Sequence, residues 1–592
     1  MCGIFGYVGS RRDAAQLVLA GLKKLEYRGY DSWGIAVAGD TRIATEKRTG
    51  KIGSAVTSLP GSTRALGHTR WATHGGVTDG NAHPHVDCAG RFAVVHNGIV
   101  SNEWELRSAL AERGHRIASE TDTELIAHLI EEAAGCADPG PAALVHALTT
   151  VFRQLRGLNA VAVLDAQTGS MAAAKNGSPL VVGSHETGHF IASDHAALVE
   201  HTRRVAFVQD GQAVLLSQEG ARLFELEDGR ERSLEFALVQ GEPAGAEGLG
   251  IHPDSMTKEI HEQPALLRRL ASGSHRHVRQ LAAAIHESAE VFAVGCGSAA
   301  HAALVAQYLF ARTGHRVTAV MGSEFALVAP FVGPRTLVLA LSQSGETIDT
   351  LESVRLARSR GARVAAMTNV EGSSLWRAAD LTIPLWAGPE RCVLSTKSLS
   401  AKLALLVLTA AALDDRLIEA RESIARAAAD VDLMLTGERR ATIRGIAEAI
   451  RSRDHLFAIG RGMNVPLALE TALKVKEVSY MHAEGFAGGE LKHGVIALVE
   501  PGTPCIVLAP DDETHDDVMA SAMQVKARGA VLIGVAPRPH PAFDHHIELA
   551  TAGDATLVLE AIPAQLLGYD LARLRGHDPD KPRNLAKSVT VK

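Results

Sequence analysis

The chain has 592 residues, of which 46% are apolar and 21% charged, with a formal net charge of −7. That length exceeds what one hydrophobic core sustains, so two to four domains are expected. The basic residues are scattered, which argues against nucleic acid as a partner. The longest strongly apolar stretch, 403–413, is far shorter than the ~20 residues of a membrane span, which argues against a membrane.

In chain order, residues 1–240 alternate short β-like runs with Gly and Asp turns: 34–38, 92–96, 160–165 and 190–193. Amphipathic helices are expected at 13–25 and 122–133, an α+β pattern. A Gly- and Pro-bearing linker follows at 241–253. Beyond it lies a weak internal repeat. Val291-Phe-Ala-Val-Gly-Cys-Gly, a buried strand running into a Gly turn, returns as Leu456-Phe-Ala-Ile-Gly-Arg-Gly. A second strand, 337–341, with its polar loop and helix, has its counterpart from Cys505 onward. Two such units predict two doubly wound, parallel-sheet lobes, at 254–430 and 431–575. Helix 403–413 and its flanks join them. The tail, 576–592, is polar and without apolar period, so by itself it reads as frayed.

The six cysteines, at 2, 88, 136, 296, 392 and 505, form no Cys-x-x-Cys pair. Reduced thiols in a cytoplasm are therefore expected. The N-terminus has no basic region or long apolar run and does not read as a signal peptide. Removal of Met1 would leave Cys2 with both a thiol and a free α-amine of pKa near 7.7–8.0. One residue would then hold nucleophile and base. Arg70, in His68-Thr-Arg-Trp-Ala-Thr-His-Gly, is a fork suited to an α-carboxylate. Asn97 and Gly98, after strand 92–96, could stabilise an oxyanion. Ser119-Glu-Thr-Asp122-Thr-Glu reads as a helix start, with Ser119 and Thr121 as caps. His83-Pro-His85, at spacing i,i+2, makes a poor metal pair, so no metal is expected.

In the second half, Ser342-Gln343-Ser344-Gly-Glu-Thr347 lies between a strand and a helix. Hydroxyls, a Gly turn and helix N–H groups make a phosphate cradle without charge. No Gly-Lys-Ser/Thr follows, so this is not a nucleotide-hydrolysing loop. Lys474 and Glu477 share one helical stretch, and His493 sits near a Gly turn.

Met-Cys-Gly-Ile, Glu26-Tyr-Arg-Gly-Tyr-Asp-Ser, His-Thr-Arg-Trp-Ala-Thr-His-Gly, His-Asn-Gly-Ile and Ser-Glu-Thr-Asp-Thr-Glu together resemble the N-terminal-nucleophile glutaminases. Lys258-Glu-Ile-His-Glu-Gln-Pro, Leu-Ser-Gln-Ser-Gly-Glu-Thr, Ala-Leu-Lys-Val-Lys-Glu and the tail Pro582-Arg-Asn-Leu-Ala-Lys587-Ser-Val-Thr-Val extend the resemblance over the whole chain, to the glutamine–fructose-6-phosphate aminotransferases. This implies a glutaminase domain of αββα layers followed by two sugar-isomerase lobes. It implies Cys2 as nucleophile, Arg70, Thr73, His74 and Asp122 holding glutamine, Asn97 and Gly98 at the oxyanion, and Trp71 gating ammonia. Gly297, Ser298, Ser342, Gln343, Ser344, Thr347, Val393 and Ala586 would bind the sugar phosphate. His493, from a neighbouring subunit, would help open the ring. Lys587 would form a Schiff base, and Glu477, assisted by Lys474, would move a proton between C1 and C2. The tail would close over the sugar. L-Glutamine and fructose 6-phosphate would be the substrates of a cytoplasmic homodimer needing no cofactor.

Four places depart from the family pattern: Ser298-Ala299 where Thr-Ser is usual, the 393–398 segment, the residues after Ser323-Glu-Phe, and Trp33 for a small residue. They admit a relative aminating another ketose phosphate. A non-catalytic sugar-phosphate sensor is the rival of a different class.

Overall fold

The computed structural model describes residues 2–135, 140–239, 248–273 and 275–590. Met1, Cys136 and 241–247 of the expected linker lie outside them. The chain divides into two compact units, one of residues 1–248 with 586–592, the other of 249–585.

The first unit contains an eight-stranded and a seven-stranded sheet, paired antiparallel throughout. Strand alternation builds its layers. In Gly3–Gly9, Ile4 and Val8 face the second sheet, while Phe5 and Tyr7 face the helix Ala14–Leu25. In Phe92–Gly98, Ala93 and Val95 face the first sheet, while Phe92 and Val94 meet the helices Asp122–Gly135 and Pro141–Phe152. The result is helix, sheet, sheet, helix, the expected αββα order. Trp33 is buried on the outer, helix-covered face of the first sheet.

The second unit holds two five-stranded parallel sheets. Numbered by chain order within each lobe, both run 2-1-3-4-5: Glu290–Gly295 is first and Thr336–Leu341 third in one, His455–Gly460 first and Pro504–Leu508 third in the other. The helix Lys397–Leu413 is buried almost along its whole length, in one continuous core that both lobes share. The strand order reverses between strands 1 and 3, the crevice where such sheets take ligands.

The polar tail is anchored. Both Asp580 carboxylate oxygens accept from the Ser255 and Met256 N–H groups (2.8 and 2.7 Å), at the start of the helix Ser255–Gly273. A carboxylate there satisfies otherwise unpaired donors. Residues 586–590 instead belong to the first unit, where Ser178 Oγ donates to the Thr590 carbonyl (3.3 Å).

Candidate active site

Cys2 immediately precedes the strand Gly3–Gly9, whose neighbour Arg64–Arg70 ends at Arg70, with Gly3 opposite Thr69. The pairing therefore brings the thiol to the end of the Arg70 strand. Cys2 is buried, the Trp71 N–H donates to its Sγ (3.3 Å), and the Trp71 carbonyl lies 3.5 Å from it. Burial pushes the thiol pKa up, so less thiolate is present at neutral pH and a base is needed to form it.

Asn97 comes from the other sheet. Its amide donates to the Cys2 carbonyl (3.1 Å) and to Ser193 Oγ (2.9 Å). Its Oδ1 lies 3.0 Å from His68 Nε2, which also approaches the His96 carbonyl (3.1 Å). Both neighbours are acceptors, so Nε2 carries the proton. Burial pushes His68 down to about 3, which keeps the ring neutral. Gly98 has φ +146°, and a Cβ there would stand 2.5 Å from the Leu158 carbonyl. Only glycine fits this bend beside Asn97.

The Arg70 guanidinium is held by the carbonyls of Gly76 (3.2 Å), Gly75 (3.1 Å) and His74. His74 thus braces Arg70 through its backbone, and its own buried Nδ1 has no hydrogen-bond partner among the described residues. Thr73 is exposed and Trp71 half-buried. Asp122 opens its helix and accepts the Val100 N–H (2.9 Å), two residues beyond Gly98. Glu124 reaches back to the Ala118 N–H (2.8 Å), and Ser119 Oγ pairs with Thr121 Oγ1 (3.0 Å). Ser119 Oγ also accepts the Thr121 N–H (3.3 Å), so these hydroxyls bond within the turn that precedes the helix. His85 bonds Thr121 (2.9 Å) and meets His83 edge-on, while the His83 ring packs tilted against His68.

In the second unit the 342–347 loop joins strand 3 of the first lobe to the helix Ile348–Ser359. Ser342 Oγ accepts the Gly345 N–H (3.0 Å), and Gly345 (φ +68°) lies so close to Ser373 that a Cβ would be 2.1 Å from its Oγ. Ser374 N–H donates to Glu346 (2.8 Å) and Asn369 N–H to the Gln343 carbonyl (3.1 Å), so the next loop braces this one. Gly297 and Ser298 open the helix Ser298–Ala311 after strand 1, on the other side of the same crevice, with Ala299 buried behind them. The matching loop of the second lobe reads Ala509-Pro-Asp-Asp-Glu-Thr514. Its acids would repel an anion, which sets it apart from the 342–347 loop.

Lys474 is fully buried on the helix Asn464–Ser479 and contacts Glu477 (2.6 Å) and Glu470 (3.5 Å). Burial disfavours its charge, but Glu477 and Glu470 more than offset this and its pKa is raised. Burial likewise pushes Glu470 up, yet Lys474 and His301 (2.7 Å away) bring it down to about 2. His493 is exposed. The Val393 N–H donates to the Asp580 carbonyl (3.1 Å), and the 393–398 segment is held by buried Glu259 and Glu390. Ala586 and Lys587 fall in the first unit.

Other residues complete the surroundings of Cys2. Arg28 Nε donates to the Cys2 carbonyl (3.2 Å), Asp31 accepts the Ala72 N–H (2.8 Å), and Ser193 accepts the Ile4 N–H (2.8 Å). Arg28 and Asp31 lie in a motif already singled out, but Ser193 had no local signal. Nor did Glu470, whose charge in a helix reads as solvated face.

The glutamine amidotransferase domain family matches residues 68–200, and the SIS domain family matches 284–412 and 449–574. Glutamine–fructose-6-phosphate aminotransferases (isomerizing) of Thermococcus kodakarensis, Symbiobacterium thermophilum and Streptomyces coelicolor are 39%, 42% and 41% identical to the chain, each over 100% of both sequences. A solved C-terminal domain of glucosamine-fructose-6-phosphate aminotransferase from Francisella tularensis is 30% identical, with TM-score 0.53. It covers 57% of this chain and is itself covered completely.

Proposed function

The chain belongs to the glutamine–fructose-6-phosphate aminotransferase (isomerizing) family, and from that premise we propose that it converts L-glutamine and D-fructose 6-phosphate to L-glutamate and D-glucosamine 6-phosphate. The observation that carries this reading is the enclosure of the Cys2 thiol by Trp71, with Arg70 at the end of the neighbouring strand and Asn97 on the Cys2 carbonyl. Full-length likeness to relatives of that one name favours this acceptor over another ketose phosphate, and over a sensor without catalysis.

The Cys2 thiol gives its proton to the α-amine freed by loss of Met1, and sulfur attacks the glutamine amide carbon. Asn97 Nδ2, releasing one of its two present acceptors, and the Gly98 N–H donate to the developing oxyanion. Ammonia leaves, and water hydrolyses the thioester to glutamate. Arg70, Thr73, His74 and Asp122 hold the amino acid ends of glutamine, and Trp71 gates the ammonia. The sugar phosphate binds at Gly297, Ser298, Ser342, Gln343, Ser344, Thr347, Val393 and Ala586. His493 assists ring opening, Lys587 forms an imine at C2, and ammonia displaces it. The imine acidifies C1–H, and Glu477, oriented by Lys474, carries that proton to C2. The exposure of His493 supports its donation across a homodimer boundary. Low cysteine usage supports a cytoplasmic site of action. No helix among the described residues is long and apolar enough to cross a membrane.

The test supplies glutamine with fructose 6-phosphate and measures glutamate and glucosamine 6-phosphate separately. Equal release of both is expected, and absence of glutamate would refute the reading. Cys2→Ala should lower glutamine hydrolysis at least ~10³-fold while sugar isomerisation persists. Retained hydrolysis would remove Cys2 from its role.

A further inference from the structure

Away from the Cys2 site, the first unit gathers four donor side chains of mixed chemistry. Cys88 lies in the turn before Phe92–Gly98, His115 follows the helix Glu103–Glu112, and His128 and Glu131 sit one turn apart on Asp122–Gly135. Their ligand atoms all fall within 4.8 Å of one another. Cys88 Sγ is 3.6 Å from His115 Nδ1 and 3.5 Å from His128 Nδ1. Glu131 Oε2 is 3.4 Å from His115 Nδ1 and 3.6 Å from His128 Nδ1. A tetrahedral zinc ion with ordinary bond lengths requires S···N edges of roughly 3.6 Å and N···O edges of roughly 3.4 Å. The cluster already has those edges.

The outer groups repeat the pattern. His115 Nε2 meets Glu132 (3.0 Å), and His128 Nε2 faces Glu124 (3.8 Å). The carboxylate behind His115 directs its Nδ1 lone pair inward and raises its basicity, while Glu124 stands beyond hydrogen-bond reach of His128 Nε2. Glu131 is itself fixed by the N–H groups of Cys88 (3.1 Å) and Ala89 (3.2 Å). His128 is buried while Cys88 is exposed, which leaves an entry path.

The geometry points to a structural site for a borderline divalent transition metal, zinc above all, held by Cys88 Sγ, His115 Nδ1, His128 Nδ1 and Glu131 Oε2. A thiolate and two imidazoles disfavour calcium and magnesium, which take oxygen donors. Binding releases the Cys88 thiol proton to solvent. All four positions are filled by protein, so the metal activates no water. It cross-links the turn, the segment after the second helix, and the helix that begins at Asp122.

The test uses the full chain, purified without chelator. Metal analysis should find about one zinc per chain, retained through gel filtration. Chain stripped with chelator and titrated with Co²⁺ should develop the visible bands of tetrahedral cobalt and a near-ultraviolet thiolate charge-transfer band. Cys88→Ser should lose that band and retain less than a tenth of the zinc. Glu132→Gln, which keeps all four ligands, should weaken zinc binding by about 10–100-fold. It serves as the deciding variant should the serine chain misfold. A wild-type chain without the charge-transfer band, or either variant binding zinc as tightly as wild type, would show a hydrogen-bonded cluster and overturn the assignment.

Discussion

Asn97 fills several structural roles at once, since its amide ties the Cys2 carbonyl to Ser193 while its oxygen meets His68. Asn97→Ala removes the proposed oxyanion donor, and we expect kcat for glutamine hydrolysis to fall ~10²–10³-fold. Steady-state glutaminase kinetics check this; a change confined to KM would argue that Asn97 only binds. Glu470 shows how burial turns a charge into a stability device. Its folded pKa is about 2, against about 4.3 when unfolded. A depressed carboxylate contributes stability that is complete above the unfolded value and lost as pH falls towards the folded one. Glu470→Gln should therefore cost on the order of 3 kcal/mol at neutral pH. The gap from wild type should close between about pH 4.3 and about 2. Urea unfolding at several pH values, followed by circular dichroism, measures both. A gap independent of pH would remove the ion pair as its cause.

At the level of elements, function depends on loops held by their neighbours. The 342–347 loop owes its shape to Gly345, whose positive φ and contact with Ser373 leave no room for a side chain. Gly345→Ala should raise the KM for sugar phosphate about tenfold or more and leave glutamine hydrolysis in the absence of sugar unchanged. Separate assays of the two half-reactions read this. Equal KM values would show that the loop does not carry the phosphate. The strand and helix expectations fared well because their periods are local. Helix 122–133 appears as Asp122–Gly135, and strand 337–341 as Thr336–Leu341. Helix 403–413 begins earlier, at Lys397, because Lys397 and Lys402 are buried in the structure where a local reading places charge at the surface. The two lobes look equivalent in strand order, yet the acids of 509–514 make them chemically unlike.

On the scale of the molecule, the lobes share one core, so residues 249–585 should fold as a unit without the rest. Expressed alone, this segment should unfold in a single calorimetric transition and bind sugar phosphate. It should form no amino sugar, because it lacks Cys2 and Lys587, the proposed nucleophile and imine-forming lysine. Two separate transitions would contradict the shared core. The sequence by itself determined an α+β first half through alternation and two doubly wound lobes through repeat, with the αββα layering implied by the resemblance, and it named Cys2, Arg70, Asn97 and the 342–347 loop through compact motifs. Those signals are legible because covalent neighbours make them. Only the tertiary structure brought Arg28 and Ser193 to Cys2, paired Glu470 with His301, anchored the tail through Asp580, and assembled Cys88 with His115, His128 and Glu131. Each of these contacts joins segments that no spacing rule links. Whether a lone Cys, His or Glu is solvated, paired or a ligand is decided by what folding places within about 4 Å of it.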